Sequence, residues 1–223
     1  MLRLRLKSPL TRLKKRIKMK RKTIFTAALL CVTLFVPLAL FGQDFEMNGT
    51  TLVKYNGNAT NVAIPEGVTA IGESAFANNE SLTSVTIPAS VISIGDNAFR
   101  GCSSLTSITI PASVTSNGSG AFSERSGLAN VTILASVASI GSGAFYGCSS
   151  LTNVTIPAGV YSIISGAFYG CSSLTSITIP ANVTSIGSNA FFGCSNLSTV
   201  VISRKTEIGY NAFPNDVQIT YSD

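Results

Sequence analysis

Apolar residues return along this chain at two nested intervals. Over Leu82 to Ile87 they interleave with polar residues, Val85 and Ile87 flanking Thr86 and following Thr83 and Ser84, the alternation of a strand with one buried face. That whole segment then recurs every twenty-three residues. Phe76, Phe99, Phe122, Phe145, Phe168 and Phe191 form one column, each preceded by alanine, and Leu82, Leu105, Leu128, Leu151, Leu174 and Leu197 form another. Side chains repeated at such an interval mark one structural unit copied in register, each copy burying its apolar face against its neighbours. The pattern predicts a solenoid from about Asn61 to the C-terminus. Its first copy is partial, with Val62, Ile64 and Pro65, and in the last copy Phe213 arrives one residue early.

One full copy, LTSVTIPASVISIGDNAFRGCSS from Leu82 to Ser104, predicts the elements of all. Leu82, Val85 and Ile87 follow L-x-x-L-x-L spacing, in which a short strand turns alternate side chains inward. Pro88 ends that strand, having no N–H for a ladder. Val91 and Ile94 enter the core from the opposite side, and Gly95 permits a close or positive-φ turn. Asp96 is placed to cap a single helical turn over Asn97, Ala98 and Phe99. The expected fold class is α/β but strongly β-rich: a leucine-rich-repeat solenoid of 23-residue repeats with a parallel concave sheet and short helical turns.

The strings LTSVTIPASVISIGDNAFRGCSS, LTNVTIPAGVYSIISGAFYGCSS and LTSITIPANVTSIGSNAFFGCSN resemble the BspA-like leucine-rich repeat family over roughly residues 61–213. The resemblance implies an exported microbial protein, often at the cell surface, with adhesion or protein binding as its role. It carries over no catalytic residue.

The net charge of +6 belongs to the N-terminus. Eleven of the sixteen basic residues lie between Arg3 and Lys22, and beyond residue 42 five basic and ten acidic residues leave −5. A chain of that sign has no broad footprint for nucleic acid. The basic stretch followed by the apolar run Thr23 to Gly42 has the layout of a signal peptide over residues 1–42, with Met19 as a possible true start. The alternative is an uncleaved segment anchoring the chain in a membrane. A secreted, cell-surface or periplasmic location is expected. Residues 43–60, with Asn48-Gly49 between apolar stretches, predict an N-terminal capping hairpin. Residues 61–223 complete the solenoid, Val217 to Tyr221 forming a closing strand.

Four of the five cysteines fall in one column, at Cys102, Cys148, Cys171 and Cys194, with Asn79 and Arg125 at the equivalent positions; the fifth, Cys31, lies in the apolar run of the leader. Adjacent coils lie within disulfide reach, but stacked side chains point the same way, and a buried thiol is an ordinary core filler. Free thiols are expected. The chain has no histidine, so a nucleophilic triad lacks its usual base and a zinc site its usual ligand. Its glycines recur with the turn rather than in a phosphate loop. These residues point away from an enzyme, a metal and a cofactor.

What remains is surface. One outward strand column reads Thr86, Thr109, Thr132, Thr155 and Thr178, and a second reads Ser84, Ser107, Asn130, Asn153 and Ser176. This hydroxyl ladder suits weak, repeated contacts with a protein or glycan surface, although threonine also favours an exposed strand on propensity alone. Tyr146, Tyr169 and Phe192 follow the core phenylalanines in three consecutive copies. They form either an adhesive aromatic patch or a cover over the edges of neighbouring coils. The stretch from Asn117 to Leu134 departs from pattern: Asn117 replaces isoleucine, Leu134 replaces proline, and Glu124 and Arg125 bring charge. It reads as a decayed repeat, or as a site marked by that charged pair. The expected function is an exported binding module. The alternative is a structural or self-associating envelope component.

Overall fold

Each coil is built from two strands because two segments per repeat alternate inward and outward, and a proline or a glycine punctuates each. The computed structural model describes residues 44–134 and 137–222, so the leader, Cys31 and its cleavage lie outside the described residues. The described residues begin with β1 (Phe45–Asn48) and β2 (Thr51–Tyr55), an antiparallel hairpin turning at Gly49 with φ of 60°. Thereafter each coil contributes one longer strand and one two-residue strand. The longer strands are β3 (Asn61–Ala63), β5 (Ser84–Thr86), β7 (Ser107–Ile110), β9 (Asn130–Ile133), β11 (Asn153–Thr155), β13 (Ser176–Thr178) and β15 (Thr199–Ile202). β17 (Gln218–Tyr221) ends the series by pairing in parallel with β15. The short strands are β4 (Ala70–Ile71), β6 (Ser93–Ile94), β8 (Ser116–Asn117), β10 (Ser139–Ile140), β12 (Ser162–Ile163), β14 (Ser185–Ile186) and β16 (Glu207–Ile208).

Three main-chain ladders join successive coils. The long strands make one, in register with Ile108 opposite Val131 and Ile177 opposite Val200. The short strands make a second, extended at its start by β2, which pairs with β4. Turn segments make the third: Phe99, Phe122, Phe145 and Phe168 each donate from N to the alanine carbonyl one coil on, at 2.7–2.8 Å. The first ladder is interrupted between β5 and β7 and between β11 and β13, and the second between β8 and β10. The interruptions never fall at the same junction, so every pair of neighbouring coils keeps two ladders.

The turn segments correct one expectation. No helix forms among the described residues; Asn97 sits at φ 53°, and its equivalents Ser74, Gly120, Gly143, Gly166, Asn189 and Asn211 all lie between 51° and 65°. A left-handed residue at that position turns the chain too sharply to continue a helix. Asp96 accordingly caps nothing in its own coil; its Oδ1 accepts from the Ser119 amide in the next, at 2.8 Å. Gly95 has ordinary φ, and its role is close approach, since a Cβ there would lie 2.7 Å from Glu73 N.

The core is one stack. Phe76, Phe99, Phe122, Phe145, Phe168 and Phe191 are fully buried, with ring centroids 4.8–5.6 Å apart and planes within 12°. Phe213 continues it at one end, and Tyr55 and Phe45 at the other.

Candidate interaction face

The threonine column is exposed where strand alternation places it. Thr86, Thr109, Thr132, Thr155 and Thr178 all face solvent, while Val85, Ile108, Val131 and Ile177 between them are buried. Thr109, Thr132 and Thr155 stand directly opposite one another across β7, β9 and β11. Thr86 and Thr178 belong to separate pieces of the ladder, one across each interruption. The column therefore comprises a central run of three and two outliers. Ser84, Ser107, Asn130, Asn153 and Ser176 flank it, also exposed. No charged side chain occupies either column, so the groups these columns offer are uncharged hydroxyls and amides.

Tyr146, Tyr169 and Phe192 sit on the turn segments rather than the strands, so the structure does not bring them together with the threonines. Tyr146 stacks on Tyr169 with centroids 4.9 Å apart, and Phe192 meets Tyr169 at 5.5 Å with its ring tilted by 32°. Tyr169 is half-buried between its neighbours, whereas Tyr146 and Phe192 remain 44% and 41% exposed. The central ring is thus sandwiched while the two outer rings stay accessible.

The cysteine column lies in the core and has a structural task. Cys102, Cys148, Cys171 and Cys194 are buried and unbridged, and each Sγ donates to a phenylalanine carbonyl in the preceding coil, those of Phe76, Phe122, Phe145 and Phe168, at 3.1–3.3 Å. Burial pushes the Cys148 thiol up to about 12 against the opposing pull of Arg125, and raises Cys102 in the same way. Cys171 is raised first by its hydrogen bond with Cys194 and then by burial. Protonated thiols are poor nucleophiles and poor metal ligands.

Arg125 occupies the same column and cannot belong to a surface site. Its side chain has no exposed area, Nε donates to the Phe99 carbonyl at 2.8 Å, and the guanidinium lies 5.1 Å from the Phe122 ring centroid. Neither terminal nitrogen has a partner, and burial lowers its pKa to about 10. Glu124 instead faces solvent and pairs with Arg100 through two bonds of 2.8 and 3.0 Å. The adjacent charged residues thus point to opposite sides of the chain wall.

A three-sided parallel coil with an aromatic-lined core and L-x-x-L-x-L strands defines a leucine-rich-repeat solenoid. The profile of the BspA type leucine rich repeat region matches residues 51–140 and 118–222 in six copies, and the chain belongs to that family. A leucine-rich repeat protein from Eubacterium ventriosum is 30% identical with a TM-score of 0.73, covering 80% of this chain and 49% of its own. One from Bacteroides ovatus is 27% identical with a TM-score of 0.54, covering 78% and 59%. A leucine rich cell surface protein from Faecalibacterium prausnitzii is 27% identical with a TM-score of 0.52, covering 80% and 74%. The chain thus spans about half the length of the first of these and under two thirds of the second. No curated protein matches it.

Proposed function

We propose that this protein is an exported surface-interaction module whose long-strand face binds an extended protein or glycan surface, in the manner of an adhesin. The carrying observation is the uncharged, solvent-facing column of Thr109, Thr132 and Thr155, aligned across three bonded strands. A stiff parallel sheet presents such groups at a fixed pitch of about 4.8 Å, which lets many weak contacts form together without ordering loops first. The cell-surface description of the Faecalibacterium relative supports the location. Leucine-rich-repeat solenoids typically serve as binding scaffolds, and the low nucleophilicity of the buried thiols is consistent with a role without catalysis.

The test is saturable binding of the labelled full chain to intact cells, compared with a Thr109→Arg/Thr132→Arg variant. Both side chains are exposed, but two arginines facing each other across β7 and β9 repel, so circular dichroism first checks that the variant is folded. The two substitutions are expected to reduce cell binding at least tenfold. Absence of saturable binding by the parent, or equal binding by the variant, overturns the reading, and concentration-dependent sedimentation of the parent in that case indicates self-association.

A further inference from the structure

The long-strand ladder opens at two places, and the second repeats the first. Ile64 and Ile179 donate to the next coil, at 3.0 Å to Thr86 O and 2.8 Å to Val201 O, but the equivalent amides of Ile87 and Ile156 make no such bond. Ala129 and Thr152 donate to the coil before, at 2.9 and 3.0 Å, whereas Thr106 and Thr175 do not. Each opening holds a cavity. One, a groove of about 400 Å³ open to solvent, is lined by Thr86, Ile87, Ser107 and Thr109 and reaches Ala112 and Leu134; the other, of about 340 Å³ and equally open, is lined by Thr155, Ile156, Ser176, Thr178 and Pro180. These are the same repeat positions three coils apart, roughly 15 Å at the ordinary strand spacing.

The sequence explains both. Where Leu134 donates to Ile110 O at 2.9 Å, the equivalent residues at the openings are Pro111 and Pro180, which have no N–H. Pro88 and Pro157 lack it too, yet their ladders hold over three residues. Those junctions place valine on valine, Val62 on Val85 and Val131 on Val154. At the openings the inward step is from valine to the larger isoleucine, Val85 to Ile108 and Val154 to Ile177. Val200 also meets Ile219, with no proline following β17, and stays paired. The missing bond and the extra methylene together part the strands.

We propose that the two openings are twin subsites for a neutral glycan, each admitting ring hydroxyls to the vacant main-chain donors and acceptors. This rests on the long-strand face being the interaction surface. Some Cα pairs of the flanking strands stay within 8 Å, and an in-plane peptide strand needs about 9.5 Å, two strand spacings. A hydroxyl fits that width. It both donates and accepts, matching a wall that offers amides and carbonyls together. The polar rim residues are Ser84, Thr86, Ser107 and Thr109 at one opening and Asn153, Thr155, Ser176 and Thr178 at the other, with Pro111, Ala112 and Leu134 adding an apolar side to the first and Pro180 to the second; no charged group lines either, so nothing there selects an ionic ligand. A chain long enough to reach both openings gains by effective concentration.

The experiment titrates the full chain with cellohexaose, maltohexaose and chitohexaose by calorimetry, and follows amide exchange by NMR. The free chain is expected to exchange the Thr106 and Thr175 amides quickly and those of Ala129 and Thr152 slowly. At least one hexasaccharide is expected to bind with a submillimolar Kd and to protect Thr106 and Thr175. Ile108→Val and Ile177→Val, which restore the valine step and keep the core apolar, are each expected to weaken binding about tenfold, and together to abolish it. Slow exchange at Thr106 and Thr175 in the free chain overturns the proposal, as does undiminished binding by the double variant. If no hexasaccharide binds at millimolar concentration while the parent still binds cells and Thr109→Arg/Thr132→Arg does not, the glycan assignment falls and the interaction face stands.

Discussion

Arg125 donates from Nε to the carbonyl of Phe99 at 2.8 Å, the bond that Cys148 makes one coil further on to Phe122 at 3.2 Å. One side chain thus substitutes for the thiol of the column while leaving two guanidinium nitrogens buried without partners. The stacking against Phe99 and Phe122 offsets part of that cost. Arg125→Cys is expected to stabilise the protein by about 1–3 kcal/mol, since it removes an uncompensated buried charge and keeps a donor for Phe99. Chemical denaturation of the two proteins checks this; a lower midpoint for the variant refutes it.

Asn117 stands opposite Ile94 in the short-strand ladder, with its Oδ1 buried and unpartnered. Asn117→Ile restores the column that Ile71, Ile94, Ile140, Ile163 and Ile186 fill elsewhere. The expected gain is about 1–3 kcal/mol, measured as a shift in denaturation midpoint at unchanged slope. A neutral or negative shift would show that the carbonyl is hydrated in solution.

Phe145 lies between Phe122 and Phe168, at 5.3 and 5.2 Å, and is wholly buried. Phe145→Ala opens a cavity in mid-stack with apolar rings above and below. The loss should be about 3–5 kcal/mol. A melting temperature equal to the parent's would contradict the continuous core.

Alkaline pH should loosen the fold through the thiols. Cys148 titrates near 12 in the folded chain against an ordinary value of 9, so between those values the folded state holds a proton that the unfolded state has lost. Stability therefore falls as pH rises through that window. Cys102 and Cys171 act in the same direction. Arg125, lowered to about 10, acts oppositely above that pH. Three thiols against one guanidinium leave a net loss, expected as a falling melting temperature from pH 8.5 to 10.5 that Cys148→Ala makes shallower. An equal slope in the variant would remove Cys148 from the account.

The twenty-three-residue columns made the solenoid legible because each coil solves the same packing problem, so Phe99, Leu105 and Ile108 declare their burial by recurring. The turn after Gly95 misled. Asp96 and Asn97 carry the composition of a helix start, whereas the left-handed column of Asn97, Gly120 and Gly143 is the stronger signal, visible once those positions are aligned. Arg125 misled for a different reason: a charge ordinarily stays in water, and only its place in the cysteine column hinted that it points inward. Tyr55 and Phe45 escaped the periodicity, since the hairpin reaches the aromatic stack by a different route along the chain.

By itself the sequence determined which side chains face inward wherever a copy keeps the pattern, because strand alternation and a constant repeat leave no freedom there; the burial of Arg125, which breaks the pattern, came only with the structure. It also placed the hydroxyl columns on one outer face. Only the tertiary structure decided which neighbouring strands bond. In the long-strand ladder that depends on the summed effect of a missing proline N–H and one extra methylene at a junction between coils, and neither term is a property of any single repeat.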